Sequence, residues 1–235
     1  GSRYLLECGK PKADYAIIGE PTAMQPIFAH KGISMMTIQL EGASGHSSDP
    51  SLGANALDAM HRVMGELIAM REELAAANQN NAFAVNVPTM NLGCMRAGDN
   101  PNRICGHAAL QIDLRLLPGM DSEAIHEALE RRIAAVVANT GVSLQLHKAY
   151  PPIPPFQSDP NGDLLGALSG LSGNQPGTVA FGTEAHFMQT LGMETVVWGP
   201  GSIDQAHQPN EYLDKAQLAP ATDTLRRVIQ KFCLV

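Results

Sequence analysis

The sequence predicts an α/β fold into which a smaller α+β unit of the ferredoxin-like type is inserted. Between about residues 32 and 148, strand-like alternation and helix-like spacing follow the order β-α-β-β-α-β. On both sides of this stretch, short apolar runs and helical segments continue an α/β pattern. The stiff proline-rich segment 151–155 acts as a linker. We therefore predict an outer domain of residues 1–31 and 149–235 and an inserted domain of residues 32–148.

The outer domain opens with the apolar run 15–18, which a Gly-Glu-Pro-Thr segment stops. Pro21 pushes the preceding residue toward extended backbone, which places Glu20 at the carboxyl end of a buried strand. Ligands bind at this edge in open α/β sheets. The remaining predicted elements of this domain are a helix near 162–171, strands at 178–181 and 195–198, and a closing helix from Leu218 to Phe232.

The inserted domain is predicted to contain four strands and two helices. The strands fall at 36–40, 83–92, 110–116 and 142–146, and the first helix carries an apolar stripe from Leu57 to Leu74. Asp121 caps the second helix and Gly141 ends it. Both helices cover one face of the sheet, so the other face, with Gln111, Asp113 and Arg115, stays open.

Composition excludes several classes of protein. Over 235 residues the 16 Lys and Arg against 23 Asp and Glu give a net charge of −7, which disfavours nucleic acid as a partner. A hydrophobic fraction of 44% indicates a folded globular chain. We expect neither a membrane span nor a secretory signal, since no apolar run approaches ~18 residues. Four scattered cysteines without a C-x-x-C pair indicate free thiols and a cytoplasmic location.

Two candidate metal ligands lie in separate loops. Besides Glu20, His207 lies in the Gly- and Pro-rich loop 199–209, which follows an apolar strand and is expected at the same ligand edge. Carboxylate and imidazole are natural zinc ligands, but a catalytic zinc site needs at least three protein groups. From the residues alone, two unrelated loop side chains remain the simpler interpretation.

Two further residues have alternative interpretations. His46 precedes a Ser-Ser-Asp-Pro segment that is typical of a helix start, which accounts for the serine and aspartate but leaves the histidine unexplained. Arg115 is either a surface charge beside Asp113 or a bidentate ligand of a substrate carboxylate. No serine-nucleophile or phosphate-loop motif occurs in the sequence.

In combination and in order, six segments resemble the zinc-dependent amidohydrolase family that includes acetylornithine deacetylase, succinyl-diaminopimelate desuccinylase and carboxypeptidase G-type enzymes. The segments are residues 18–22 (IGEPT), 45–50 (GHSSDP), 102–104 (NRI), 113–115 (DLR), 182–185 (GTEA) and 199–212 (GPGSIDQAHQPNEY). Within the family, the Thr-Glu-Ala and Gln-Ala-His-Gln-Pro stretches favour the acetylornithine deacetylases.

The resemblance implies a zinc-peptidase-like catalytic domain with a two-metal site, in which cobalt can replace zinc. Glu20 would bind one ion and His207 the other. The inserted domain would be the lid and the homodimerisation domain, and its His46 would reach into the partner's active site to stabilise the tetrahedral oxyanion.

The same resemblance implies a substrate pocket in which Arg115 binds the α-carboxylate. The pocket would be lined by Asn102, Arg115, Gly182 and Thr183. Glu184 would face the side-chain ammonium of ornithine.

The implied reaction is hydrolysis of N-acetyl-L-ornithine to ornithine and acetate, in arginine biosynthesis. One alternative is a desuccinylase, which is expected to carry an additional cationic side chain at the position that His186 occupies here. The other alternative is a non-catalytic dimerisation module that uses only the inserted domain. The family's His-x-Asp motif, bridging Asp and Glu-Glu pair do not occur in the 19 residues before Glu20. We therefore expect an incomplete, carboxyl-terminal part of the enzyme that is inactive alone.

Overall fold

The computed structural model describes residues 1–234, and its elements follow the predicted α/β order. The strands are β1 (Tyr15–Ile18), β2 (Ile27–His30), β3 (Gly32–Glu41), β4 (Thr89–Ala97), β5 (His107–Leu116), β6 (Ser143–Lys148), β7 (Phe156–Gln157), β8 (Gly177–Val179) and β9 (Glu194–Val197). The helices are α1 (Ser2–Glu7), α2 (Ala56–Ala77), α3 (Ser122–Val137), α4 (Asp163–Ser172), α5 (Ala185–Thr190) and α6 (Leu218–Cys233). None of the described helices combines the length and apolar character that a bilayer span requires.

The chain divides into two units. Unit 1 consists of residues 1–31 together with the chain from residue 155 onward, and unit 2 consists of residues 32–154. Unit 2 therefore extends past the predicted end of the insertion at residue 148. The reason is that Ile153 forms an antiparallel bridge with Ile33, with N–H···O distances of 2.8 and 2.9 Å, which ties the proline-rich segment to β3.

Unit 2 is a four-stranded antiparallel sheet in the order β4-β5-β3-β6, covered on one face by α2 and α3. Burial alternates residue by residue along β3 and β5, because successive side chains of a strand point to opposite faces. The inward residues join the helical stripes in one apolar core that includes Ile38, Leu40, Leu110, Leu114, Val63 and Leu129. The predicted β-α-β-β-α-β arrangement is confirmed.

Two local expectations were wrong, and two short strands were missed. The second strand of unit 2 was predicted from residue 83, but β4 begins at Thr89, because Asn80 donates its N–H to the Asn86 carbonyl at 2.8 Å and closes a turn instead. Helix α3 ends at Val137, before Gly141, which has a φ of 72° in the turn that leads to β6. Strands β2 and β7 were not predicted, since two to four residues are too few to show a periodicity.

Unit 1 is a mixed five-stranded sheet in the order β1-β9-β2-β7, with β8 pairing beside β2. Strands β1 and β9 run parallel, whereas β2 runs antiparallel to β9. Helices α4 and α6 pack on the sheet through a core that contains Leu164, Leu165, Leu168, Val196, Trp198 and Val228. The parallel pair is the feature that positions the site, because its two strands end at the same edge.

Helix α3 of unit 2 buries a histidine against the sheet. His126 is 5% exposed, and its Nε2 lies 2.8 Å from the Ser34 hydroxyl, whereas its buried Nδ1 has no hydrogen-bond partner. Desolvation lowers the pKa of His126, and the nearby Lys148 charge lowers it further, against a smaller opposing effect of Glu123. Folded unit 2 therefore holds this imidazole in its neutral form.

Acidification is expected to destabilise unit 2 through His126. In the unfolded chain His126 takes up a proton near its ordinary pKa of 6.5, whereas the folded state resists protonation to a lower pH. Below pH 6.5 the unfolded state then binds more protons than the folded state. The contribution of His126 to the free energy of unfolding is therefore complete above pH 6.5 and decreases at lower pH, by at most about 1.4 kcal/mol per pH unit. Urea unfolding of a His126→Gln variant should show a smaller decrease in the free energy of unfolding between about pH 7 and 5 than the wild-type chain shows. The exposed His61→Gln serves as control. Equal pH slopes in all three proteins would refute this account.

Candidate active site

The edge of unit 1 at which β1 and β9 end brings Glu20 beside the loop that follows β9. Ile18 is in register with Val197, and the Trp198 N–H donates to the Ile18 carbonyl at 2.9 Å. A β carbon on Gly199 would lie 2.6 Å from the Glu20 carbonyl oxygen, closer than real side chains come. Only glycine allows the two chain segments to approach this closely.

A cavity of about 800 Å³ opens at this edge of unit 1. Its apolar wall is formed by Ile17, Trp198, Tyr212, Leu213 and Leu225. The carboxylate residues among its lining are Glu20 and Glu211. A concave, largely apolar site with few polar groups is typical of small-molecule binding.

His207 lies in the same loop but is not among the residues that line this cavity. It is exposed, has a φ of 61°, and donates its backbone N–H to the Glu211 carboxylate at 3.3 Å. Its neighbours in the loop, Gln205 and Glu211, do line the cavity. The convergence of Glu20 and His207 on one metal centre stays a prediction. Glu211 had no predicted role, although its place four residues after His207 was a usable signal.

The carboxylate of Glu20 is electrostatically destabilised. Partial burial raises its pKa, and the Glu184 carboxylate raises it further, so the two acidic side chains lie within electrostatic range. A cation placed here would relieve both effects. Within residues 1–234, however, no three His, Cys, Asp or Glu side chains gather closely enough to hold a metal ion. The donor types fit zinc, but the number of donors does not.

The predicted substrate loop of unit 1, residues 182–184, separates into a buried anchor and an exposed carboxylate. Thr183 is 5% exposed; its N–H donates to His30 Nε2 at 3.3 Å, and its hydroxyl oxygen accepts the Ala185 N–H at 3.1 Å. Glu184 is exposed, whereas Gly182 is half-buried. Among these three residues, Glu184 is therefore the one that presents a charged group to solvent.

In unit 2 the structure brings His46 and Asn102 together on adjacent exposed loops. Ser47 donates its N–H to the Asn102 carbonyl at 3.0 Å, and residues 46 and 103 form an isolated bridge. The Ser48 N–H donates to His46 Nδ1 at 3.2 Å, and the Ser48 hydroxyl lies 2.7 Å from the same nitrogen. Because Nδ1 accepts, the neutral ring carries its proton on Nε2, which becomes the available donor.

Arg115 lies at the other end of unit 2. From residue 107, at the His46 end of β5, eight steps along the strand cover about 27 Å. The Arg115 guanidinium donates three hydrogen bonds of 3.0 Å to the Asp113 carboxylate. Within a single copy of unit 2 the structure therefore does not bring Asn102 and Arg115 together, and their joint role in a substrate pocket stays a prediction.

A Gly199→Ala substitution is expected to destabilise unit 1 by about 1–3 kcal/mol, because overpacked positions force the backbone to shift. Here the added β carbon would press on the backbone of Glu20. Gly170→Ala in α4 is the matched control, since its β carbon meets nothing within 4 Å and alanine favours the helix by up to about 1 kcal/mol. Chemical denaturation measures the free energy of unfolding of both variants. Equal values for the two would show that unit 1 does not need the close approach of residue 199 to the Glu20 backbone.

Comparisons with known proteins show what the chain is similar to. Residues 28–140 match the peptidase dimerisation domain of the M20 family. Solved structures of other enzymes match the fold over nearly the whole chain. One is a tripeptidase from Staphylococcus aureus with a TM-score of 0.72 and 16% identity, covering 99% of this chain and 62% of that one. Another is an M20 family metallo-carboxypeptidase from Sulfolobus solfataricus with a TM-score of 0.72 and 18% identity, covering 100% of this chain and 67% of that one. The chain thus carries an M20 peptidase dimerisation domain within an M20-type fold, and the family resemblance is confirmed.

A nearer relative is acetylornithine deacetylase from Pectobacterium atrosepticum. It is 42% identical over 233 residues, which is 99% of this chain and 61% of that protein. The chain therefore spans about three fifths of the length of this relative.

Proposed function

We propose that this chain belongs to a metal-dependent amidohydrolase that removes the acyl group of N-acyl amino acids, with N-acetyl-L-ornithine as substrate. The observation that carries the proposal is the cavity at the β1–β9 edge, a concave, largely apolar site lined by Glu20 and Glu211. The Glu184 carboxylate lies within electrostatic range of Glu20. The identity to acetylornithine deacetylase, which extends through both units, supports the same activity.

The metal we propose is zinc, with cobalt able to replace it, and Glu20 and His207 are the ligands that this chain would contribute. When bound, zinc supplies a water molecule that ionises near neutral pH. The remaining ligands would lie outside the pair named here, since the described residues hold no complete donor set. For the same reason we propose that the 235-residue chain does not hydrolyse acyl amino acids on its own.

His46 is proposed as the donor that stabilises the oxyanion. Its Nε2–H is the type of preorganised donor that this task requires. The match of residues 28–140 to a dimerisation domain supports a homodimer, in which His46 and Asn102 would act together on the substrate of the partner copy. Arg115 would release the Asp113 carboxylate and bind the α-carboxylate of the substrate in its place.

The desuccinylase alternative is less well supported. A succinyl group carries a second carboxylate, which would want a nearby cation. Burial lowers the pKa of His186, which disfavours its protonated form, so this ring is poorly suited to serve as that cation. For the deacetylase, ornithine production would serve arginine biosynthesis, and the four free cysteines fit a reducing cytoplasm.

A chimera tests the proposal directly. This chain replaces the aligned three fifths of the Pectobacterium atrosepticum protein, and hydrolysis is measured for N-acetyl-L-ornithine and N-succinyl-diaminopimelate, with zinc, with cobalt and after chelation. We expect metal-dependent hydrolysis of the acetyl substrate by the chimera and none by the isolated chain. A folded, dimeric chimera that shows no metal-dependent hydrolysis would contradict the proposed activity. If the isolated chain hydrolysed the substrate, its predicted inactivity would be wrong.

The charge of Glu184 is expected to set the preference for a cationic side chain. In the chimera, Glu184→Gln should raise KM for N-acetyl-L-ornithine by roughly ten- to a hundredfold, in line with the loss of a charge-assisted hydrogen bond of about 1.5–3 kcal/mol. KM for N-acetyl-norvaline, which lacks only the ammonium, should change little. Glu72→Gln, which removes the same charge from an exposed position of α2, is the control. An unchanged ratio of the two KM values would exclude this role.

A further inference from the structure

A second histidine of unit 1, His30 at the end of β2, is fully buried and has a hydrogen-bond partner on each ring nitrogen. It is 0% exposed, its Nε2 lies 3.3 Å from the Thr183 backbone nitrogen, and its Nδ1 lies 2.9 Å from the Lys31 carbonyl oxygen. No role was predicted for His30, because it lies on β2, a strand that was not predicted.

The two partners of His30 permit a single protonation state. A backbone N–H can only donate, so Nε2 must offer Thr183 its lone pair, and a carbonyl can only accept, so Nδ1 must carry the proton toward Lys31. The neutral Nδ1–H tautomer satisfies both contacts. A proton on Nε2 would face the Thr183 N–H and break that contact.

The surroundings of His30 stabilise this neutral state. The Phe156 ring of β7 lies 5.3 Å from the imidazole centroid, and desolvation lowers the pKa of His30 to about 4. The titratable group that faces it from α5 is His186, whose positive charge would lower the pKa further. Lys31, the next residue, is itself 2% exposed.

We propose that His30 is a positioning residue: its neutral imidazole holds the Thr183 N–H and thereby fixes the loop from which Glu184 faces the substrate. The consequence of this contact, recognition of a cationic amino-acid side chain, rests on the proposed function. The contact geometry itself does not depend on that function. Thr183 is held from both sides, by His30 at its N–H and by α5 at its hydroxyl, so the direction of the following Glu184 backbone is set by these two contacts.

The first test uses the whole 235-residue chain with 15N-labelled histidine. At neutral pH the NMR signals of His30 should show a protonated Nδ1 and an unprotonated Nε2. The same tautomer should persist well below the ordinary histidine pKa. An imidazole protonated at Nε2 would overturn the proposal, and this measurement needs neither a variant nor enzymatic activity.

The second test compares His30→Leu, which removes the acceptor, with His30→Gln, whose side-chain oxygen can replace Nε2. Amide exchange at Thr183 should be about tenfold faster or more in the leucine variant and near the wild-type rate in the glutamine variant. The control is His126→Leu, which deletes the buried histidine of unit 2 and should leave Thr183 exchange unchanged. Should His30→Leu fail to fold, the glutamine variant still decides, because rapid Thr183 exchange there would contradict rescue by an acceptor.

A third measurement links the contact to substrate selection. In the chimera, His30→Leu should reduce the KM preference for N-acetyl-L-ornithine over N-acetyl-norvaline, and His30→Gln should retain it. A leucine variant with the wild-type preference would overturn the positioning role. A chimera without any hydrolysis would count against the proposed function, whereas the tautomer and exchange results would still decide the placement of the loop.

Discussion

A Glu20→Gln substitution in the chimera is expected to abolish detectable hydrolysis of N-acetyl-L-ornithine and to weaken metal binding by more than about a hundredfold. Loss of groups that merely support metal ligands costs 10–100-fold in affinity or activity, and loss of a direct ligand should cost more. Glutamine keeps the shape of glutamate but removes the negative charge. Since partial burial and Glu184 raise the pKa of Glu20, a bound cation would offset both effects and stabilise the ionised carboxylate.

Calorimetric zinc titration and kinetics measure the two effects of Glu20→Gln separately. The matched control is Glu72→Gln, which removes the same charge from an exposed face of α2. If Glu20→Gln retained wild-type metal affinity, Glu20 would not be a ligand. If affinity fell while hydrolysis persisted, the metal would not be required for the reaction.

His46→Ala is expected to lower kcat by about 10²–10³-fold, the usual cost of removing one oxyanion donor, equivalent to about 2.7–4 kcal/mol. KM should change little, because the donor acts on charge that develops in the transition state. The rate of acetate release measures the effect. His46→Gln, which can still donate a hydrogen bond, should lose less. Equal losses in kcat and in substrate affinity would instead indicate that His46 contributes to ground-state binding.

Mixed dimers test whether His46 acts on the partner copy. In a dimer of one His46→Ala copy and one Glu20→Gln copy, one active site would combine an intact Glu20 with an intact His46. Random mixing of the two inactive proteins should then restore up to about a quarter of the wild-type activity, since half of the dimers carry one such site. No recovery in proteins that demonstrably exchange subunits would place His46 in its own copy's site.

Several features of the site followed from sequence-local rules. Glu20 follows Ile18, the last paired residue of β1, and Pro21 keeps the backbone of Glu20 extended. Parallel strands end at a common edge, so the proximity of Glu20 to the loop after β9 was predictable. The open face of unit 2 was equally predictable, since alternation along β5 needs only the period of a strand.

Other features depended on contacts between distant parts of the chain. The sequence offered two interpretations of Arg115, and the structure pairs its guanidinium with Asp113. Thr183, which is predicted to line the substrate pocket, is buried, and its N–H donates to His30, 153 residues earlier in the chain. No local pattern signals such a contact.

By itself the sequence determined the α/β order, the inserted unit with its apolar face, and the residue types available for metal and oxyanion chemistry, because each depends on periodicity or on a short motif. The tertiary structure alone decided the start of β4, the separation of Arg115 from Asn102, and the anchoring of the Glu184 loop on His30. The physical reason is that periodicity fixes which face of an element is buried, whereas the partner of a polar group is set by long-range pairing and desolvation.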